Sequence, residues 1–266
     1  MPEGVIRDIS FKHTPVRDLL ADVYLPAGDG PHPIILWVCG GAMVSLERSA
    51  AETIAAWITG HGFALAAIEY RVTSEGIFTA QIQDCKAAAR WVRACADVYG
   101  FDGSRVGAWG DSAGGYLASL LGTSAGAEEF GPLDAWPGRS SAVGAVCAFS
   151  PPTDLLNWPN PQKAVYKLLG GWPKDLPDVA RWASTTTYVS AASPPHLLVH
   201  GEADLLVPIE QSRRLCSALE AAGVEAALVA VPGADHGAEA LERKEGVKDR
   251  IAGFFKRHLG RPRSKP

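Results

Sequence analysis

Two rhythms of apolar residues alternate along this chain. Short continuous runs such as "HPIILWVCGG" (residues 32–41) and "FALAAIEYR" (63–71) are apolar at nearly every position. Strands covered on both faces read this way, and a strand with one wet face does not. Between them, "RSAAETIAAWITGHG" (48–62) and "FTAQIQDCKAAARWVRACADVYG" (78–100) carry apolar residues at helical spacing, the second at Ile82, Cys85, Ala89, Val92 and Cys95. "VIRDISFK" and "DLLADVYLP" predict an edge hairpin ahead of them.

The alternation continues through "RVGAWG", the helix "AGGYLASLLGTS" and the strand "AVGAVCAFSP". It resumes with "PHLLVHGEAD", the helix "PIEQSRRLCSALEAAG", the strand "EAALVAVPGADHG" and a closing helix, "VKDRIAGFFKRHL". Eight strands alternating with helices predict an α/β fold, with a mostly parallel sheet covered on both faces. Residues 151–193 are rich in Trp, Pro and polar residues with no strand signal, and are expected to form a small cap. No repeat or Gly/Ser-rich linker divides the 266 residues, so a single domain, 1–266, is expected.

Functional groups of such sheets gather at the carboxyl ends of the strands. At one such end stands "GDSAGG", with Ser112 flanked by Gly110 and Gly114. Glycines two before and two after a serine remove the Cβ atoms that would collide in a sharp strand-to-helix turn, the pattern G-x-S-x-G. A lone match is often a chance turn. A hydroxyl also needs a base, and the base needs orienting. Asp204 and His236 each follow a later strand, in the order serine, acid, histidine. His200 is a rival base, but its place inside a strand points to packing. Glu202 and Asp154 are rival acids.

The loop after "PIILWV" reads Cys39-Gly40-Gly41-Ala42-Met43. Together with "EYR", "QDCKAAARWVR", "YGFDGSRVGAWGDSAGG" and "ASPPHLLVHGEADLLVP", it resembles the hormone-sensitive-lipase-like and feruloyl-esterase-like (BD-FAE) carboxylesterases of the α/β-hydrolase fold. The likeness runs from about residue 20 to 257 and implies a triad of Ser112, Asp204 and His236. It further implies an oxyanion hole built from the N–H groups of Gly41, Ala42 and Ala113. Two departures stand out. Cys39 replaces the histidine that braces this loop in relatives, and "YRVTSEGIF" replaces a proline-rich turn.

Composition narrows the function. A net charge of −4 gives no field for nucleic acid. No run approaches membrane-spanning length, and no secretory leader is visible at the start. Five scattered cysteines fit neither a disulfide framework nor a zinc site and suit a reducing cytoplasm. The basic tail "KRHLGRPRSKP" reads as a frayed end. The expected activity is hydrolysis of small soluble esters, short-chain or aryl, with no cofactor, no metal and no membrane or nucleic-acid partner; a homodimer is left open. Trp158, Trp172 and Trp182 in the cap are candidate pocket residues. Two alternatives stay open: an arylformamidase using the same triad, and a non-catalytic ligand-binding protein on the same fold.

Overall fold

The computed structural model describes residues 4–127, 130, 135–237, 244 and 246–260. The basic tail's residues 261–266 lie outside that range. Eight strands form one sheet: β1 (Val5–His13), β2 (Asp18–Tyr24), β3 (His32–Val38), β4 (Ala64–Ile68), β5 (Phe101–Asp111), β6 (Val146–Phe149), β7 (His196–Gly201) and β8 (Ala226–Val231). Their order is β1-β2-β4-β3-β5-β6-β7-β8. β1 and β2 pair antiparallel, and β2 pairs antiparallel with β4. All later pairings are parallel.

The continuous apolar runs are explained by the two faces they serve. On β3, Ile34, Leu36 and Val38 enter one core, while Ile35 and Trp37 enter the other. The first core takes the buried faces of α2 (Ala80–Ala94), α4 (Ala113–Thr123) and α7 (Glu210–Ala221). The second is closed by α1 (Glu52–Thr59) and α8 (Val247–Leu259). Trp109 on β5 centres this second core, edge-on to Trp37 at 5.2 Å and against Phe149 at 5.8 Å. Burying one such indole is worth about 4–6 kcal/mol.

The long amphipathic stretch 78–100 is interrupted. Cys95 leaves helical geometry (φ −107°, ψ 16°), and a single turn, α3 (Ala96–Tyr99), follows it. β5 also starts earlier than "RVGAW", because Phe101 already pairs with His32 across a register shift. Between β6 and β7 the chain forms α5 (Lys163–Leu169), α6 (Pro177–Trp182) and a 3₁₀ turn at Thr185–Tyr188, with no strand. These short elements lie beyond the carboxyl end of β6, where the serine turn also lies.

Candidate active site

Ser112 joins β5 to α4 with φ 51° and ψ −116°, a conformation a non-glycine residue adopts only when its surroundings impose it. Its N–H donates to the Phe149 carbonyl at 2.7 Å, and its carbonyl accepts from the Tyr116 N–H at 2.9 Å. The turn is that tight because the first turn of α4 presses on β3. A Cβ on Gly114 would lie 1.9 Å from the Val38 carbonyl oxygen. The strand pattern of the sequence thus fixes where the hydroxyl stands.

His236 and Asp204 meet that hydroxyl. His236 Nε2 is 2.8 Å from Ser112 Oγ, and His236 Nδ1 is 2.7 Å from Asp204 Oδ2. The loops after β7 and β8 that carry them are tied together: Ala203 N–H donates to Ala234 and Glu202 N–H to Val231. Asp204 Oδ1 accepts the N–H groups of Leu206 and Val207 at 2.9 and 2.8 Å. Burial alone would raise the pKa of this carboxyl. The hydrogen bonds from His200, His236 and the Val207 N–H outweigh burial and hold it well below the usual carboxylate range. Asp204 is therefore charged, and the His236 side chain is 15% exposed, open to a substrate.

The rival groups are otherwise engaged. Asp154 accepts Asn157 and Arg214 and braces the start of the cap. Glu202 is exposed. His200 is fully buried on β7, but it does more than pack: its Nε2 lies 3.3 Å from Asp204 Oδ2.

The Cys39–Met43 loop arches over the serine turn. Ala42 and Ala113 line the cavity beside Ser112 and His236, while Gly41 sits on the loop's shoulder, its carbonyl accepting Val44 and Ser45. Gly41 has φ +112°, and a Cβ there would fall 2.3 Å from the Ser45 carbonyl oxygen. Ala42 and Met43 follow at φ 55° and 62°, so the loop is held in a strained shape. What holds it, with no histidine at 39, is visible. Asp111 Oδ1 accepts the Gly40 N–H at 2.9 Å, and the buried Tyr70 hydroxyl donates to the Cys39 carbonyl at 3.1 Å. The Thr73 N–H donates to the Met43 carbonyl at 2.7 Å, so the divergent segment "YRVTSEGIF" also grips this loop. Cys39 itself is 5% exposed, and burial pushes its thiol up to about 11. It is a small packed side chain and no nucleophile.

A cavity of about 270 Å³ opens at Ser112. Besides Ala42, Met43, Ser112, Ala113 and His236, the residues Tyr116, Leu155, Trp158, Val165, Leu168 and Val207 line it. Of the three cap tryptophans, only Trp158 reaches it. Trp172 is 37% exposed and packs on Tyr166 at 5.0 Å, beside a separate open cleft. Trp182 sits edge-on to Phe78 at 5.4 Å and parallel to Phe130, clamping the cap to the body. The apolar lining from α5 went unrecognised in the sequence; its signal is the buried Val165, Leu168 and Leu169 on a single short helix. Among the described residues no cluster of three or more His, Cys, Asp or Glu could hold a metal ion.

The sheet order and the serine turn together define an α/β-hydrolase fold, and solved structures agree. A truncated carbohydrate esterase from gut microbiota superposes with a TM-score of 0.89 at 29% identity, covering 97% of this chain and 96% of that one. A thermophilic esterase from the planctomycete Thermogutta terrifontis, solved with propionate bound, gives 0.78 at 27% identity over 98% and 97%. Within that fold the chain belongs to the BD-FAE family, whose model matches residues 21–219. Esterase LipC of Mycobacterium tuberculosis is 29% identical over 220 residues, covering 80% of this chain and 54% of that protein. The chain spans about half the length of the curated relatives it matches.

Proposed function

We propose that this protein is a serine carboxylesterase for small esters, with Ser112, His236 and Asp204 as its triad. The single observation that carries the reading is the imidazole of His236 bridging a strained serine and a charged carboxylate at 2.8 and 2.7 Å. Ser112 Oγ attacks the ester carbonyl while His236 Nε2 takes its proton, and Asp204 stabilises the imidazolium through Nδ1–H. The N–H groups of Ala113, at the start of α4, and of Ala42 and Gly41 receive the oxyanion. His236 returns the proton to the leaving alkoxide. Water then attacks the acyl-enzyme with His236 again as base, and the acid is released.

A cavity of about 270 Å³ suits a short acyl or a single aryl group better than a long chain. The propionate held by the Thermogutta esterase supports the same size range. The carbohydrate esterase among the structural relatives makes sugar esters the first natural esters to assay. No helix among the described residues is long and apolar enough to cross a membrane. None of the five cysteines forms a disulfide, which supports a reducing, cytoplasmic setting.

Steady-state hydrolysis of p-nitrophenyl acetate, butyrate and octanoate tests the reading. Turnover is expected to be highest on the short chains and to fall at least ~10⁴-fold in Ser112→Ala. A fluorophosphonate probe is expected to label the wild type and not that variant. Full turnover by Ser112→Ala, or no labelling of the wild type, overturns the reading; the second result favours a non-catalytic binder.

A further inference from the structure

His200 is fully buried and has three polar neighbours where an imidazole needs two. Its Nδ1 lies 2.7 Å from Ser212 Oγ on α7, and its Nε2 lies 2.8 Å from the Val207 carbonyl and 3.3 Å from Asp204 Oδ2. A carbonyl only accepts, so Nε2 must carry a proton. In the neutral ring Nδ1 then accepts from the Ser212 hydroxyl, which locks the tautomer. The Nε2–H therefore donates to the Val207 carbonyl, and the carboxylate of the triad stands 3.3 Å from the same nitrogen, within reach of a shared bond.

The carboxylate supplies the complementary half. Asp204 Oδ1 takes two backbone N–H groups. Oδ2 takes His236 Nδ1–H, and its remaining site faces His200. A carboxylate has about four acceptor sites, so His200 completes the set. We propose that His200 is a positioning residue of the reaction, holding Asp204 in line with His236 through an Nε2–H shared between that carboxylate and the Val207 carbonyl. It does so on the esterase reading above. The shared bond has two consequences: Asp204 cannot swing about its Cβ–Cγ axis, and part of its charge is spent away from His236. Replacing His200 returns that share of the charge to His236.

Among the described residues, few other charges bear on this pair. Asp111 faces His236 from the end of β5, and Asp235 accepts the His236 N–H at 2.7 Å. On α7, Glu210 pairs with Arg213, while Arg214 pairs with Asp154. Glu202, just past β7, is exposed. All of these stay in place when His200 is replaced.

The test is the pH dependence of kcat and KM for p-nitrophenyl acetate from acid to alkaline pH in His200→Leu and His200→Gln. His200→Leu is expected to move the acid limb of kcat/KM upward by about half to one pH unit. It is also expected to lower kcat roughly tenfold with KM little changed, the mark of an interaction serving the transition state. His200→Gln, which keeps an N–H donor, is expected to restore most of both. An acid limb that stays put in His200→Leu, with only a lower melting temperature, overturns the proposal and leaves His200 as packing. Nitrogen-detected NMR of the histidines in the wild-type protein reads the same claim without any variant that must fold. The Nε2–H tautomer of His200 is expected through neutral pH; an Nδ1–H tautomer could not donate to Asp204 and overturns it. A wild type showing the Nε2–H tautomer but hydrolysing no ester rejects the esterase reading while upholding the contact.

Discussion

Gly114→Ala puts the serine turn under a direct load. A Cβ at this position would lie 1.9 Å from the Val38 carbonyl oxygen, 2.6 Å from the Val38 carbonyl carbon and 2.7 Å from the Cys39 oxygen. Ordinary van der Waals contact begins at 3.4 Å, so α4 and β3 must part by more than about 1 Å. None of the three atoms belongs to a flexible side chain, and Val38 is paired on both sides, with Ile68 and Gly110. Overpacking of this kind costs about 3 kcal/mol or more. For a chain of this size that is a fall in Tm of roughly 6–12 °C. The displaced Val38–Cys39 segment leads straight into the Gly41–Ala42 loop, and a shift of about 1 Å there costs on the order of 10² in rate. Thermal unfolding and kcat on p-nitrophenyl acetate read the two effects. Gly253→Ala on α8 is the control: nothing lies within 4 Å of its Cβ, and a helical alanine there gains up to about 1 kcal/mol. A Gly114→Ala protein that melts within about 2 °C of wild type at full kcat would refute the close-approach argument.

Three more outcomes follow from other parts of the fold. Burial of His196 lowers its pKa from 6.5 to about 4, against hydrogen bonds that raise it. Between those values the unfolded chain binds a proton that the folded chain refuses, so stability rises with pH across that window, by about 3 kcal/mol in all. Urea unfolding at several pH values is expected to show a flatter slope in His196→Leu, and an unchanged slope refutes the assignment. Asp111→Ala removes the acceptor of the Gly40 N–H and is expected to cut kcat about 10–100-fold with KM little changed, whereas Asp111→Asn keeps an acceptor and most of the rate. Equal losses in both would mean that charge, and not the loop, is what Asp111 supplies. Trp158 lines both the Ser112 cavity and the neighbouring cleft, so Trp158→Ala is expected to join them and raise kcat/KM for bulky esters relative to acetate about tenfold. Trp172→Ala is expected to leave that ratio alone, which a panel of acyl lengths checks.

Much of this could be read along the chain because it rests on local rules. The doubly buried strands announce themselves by continuous apolar runs, and the serine turn by the two glycines its geometry demands. Asp204 and His236 stand where parallel strands end, so strand order alone brings them to one rim. The cap resisted the same reading. Trp158, Trp172 and Trp182 are equivalent in sequence, and only the path of α5 and α6 decides that the first meets the cavity, the second the surface and the third Phe78. His200 resisted for the opposite reason. Its position in a buried strand is a sound argument for packing, and its contact with Asp204 depends on the chain turning back within four residues to place Val207 and the carboxylate around one nitrogen.

The replacement of histidine by Cys39 shows how the loop over Ser112 gets its shape. An imidazole at that position would brace the loop from within, and a thiol pushed up to about 11 by burial supplies no comparable bond. The strained residues Ala42 and Met43 nevertheless hold positive φ, so the strain must be balanced from outside. Three separate segments do this: Asp111 at the end of β5 takes the Gly40 N–H, Tyr70 beyond β4 caps the Cys39 carbonyl, and Thr73 ties down Met43. Two of the three belong to the stretch just after β4, and the departure "YRVTSEGIF" begins at Tyr70. The support for the Gly41–Ala42 loop therefore comes from the end of β5 and from the segment that follows β4.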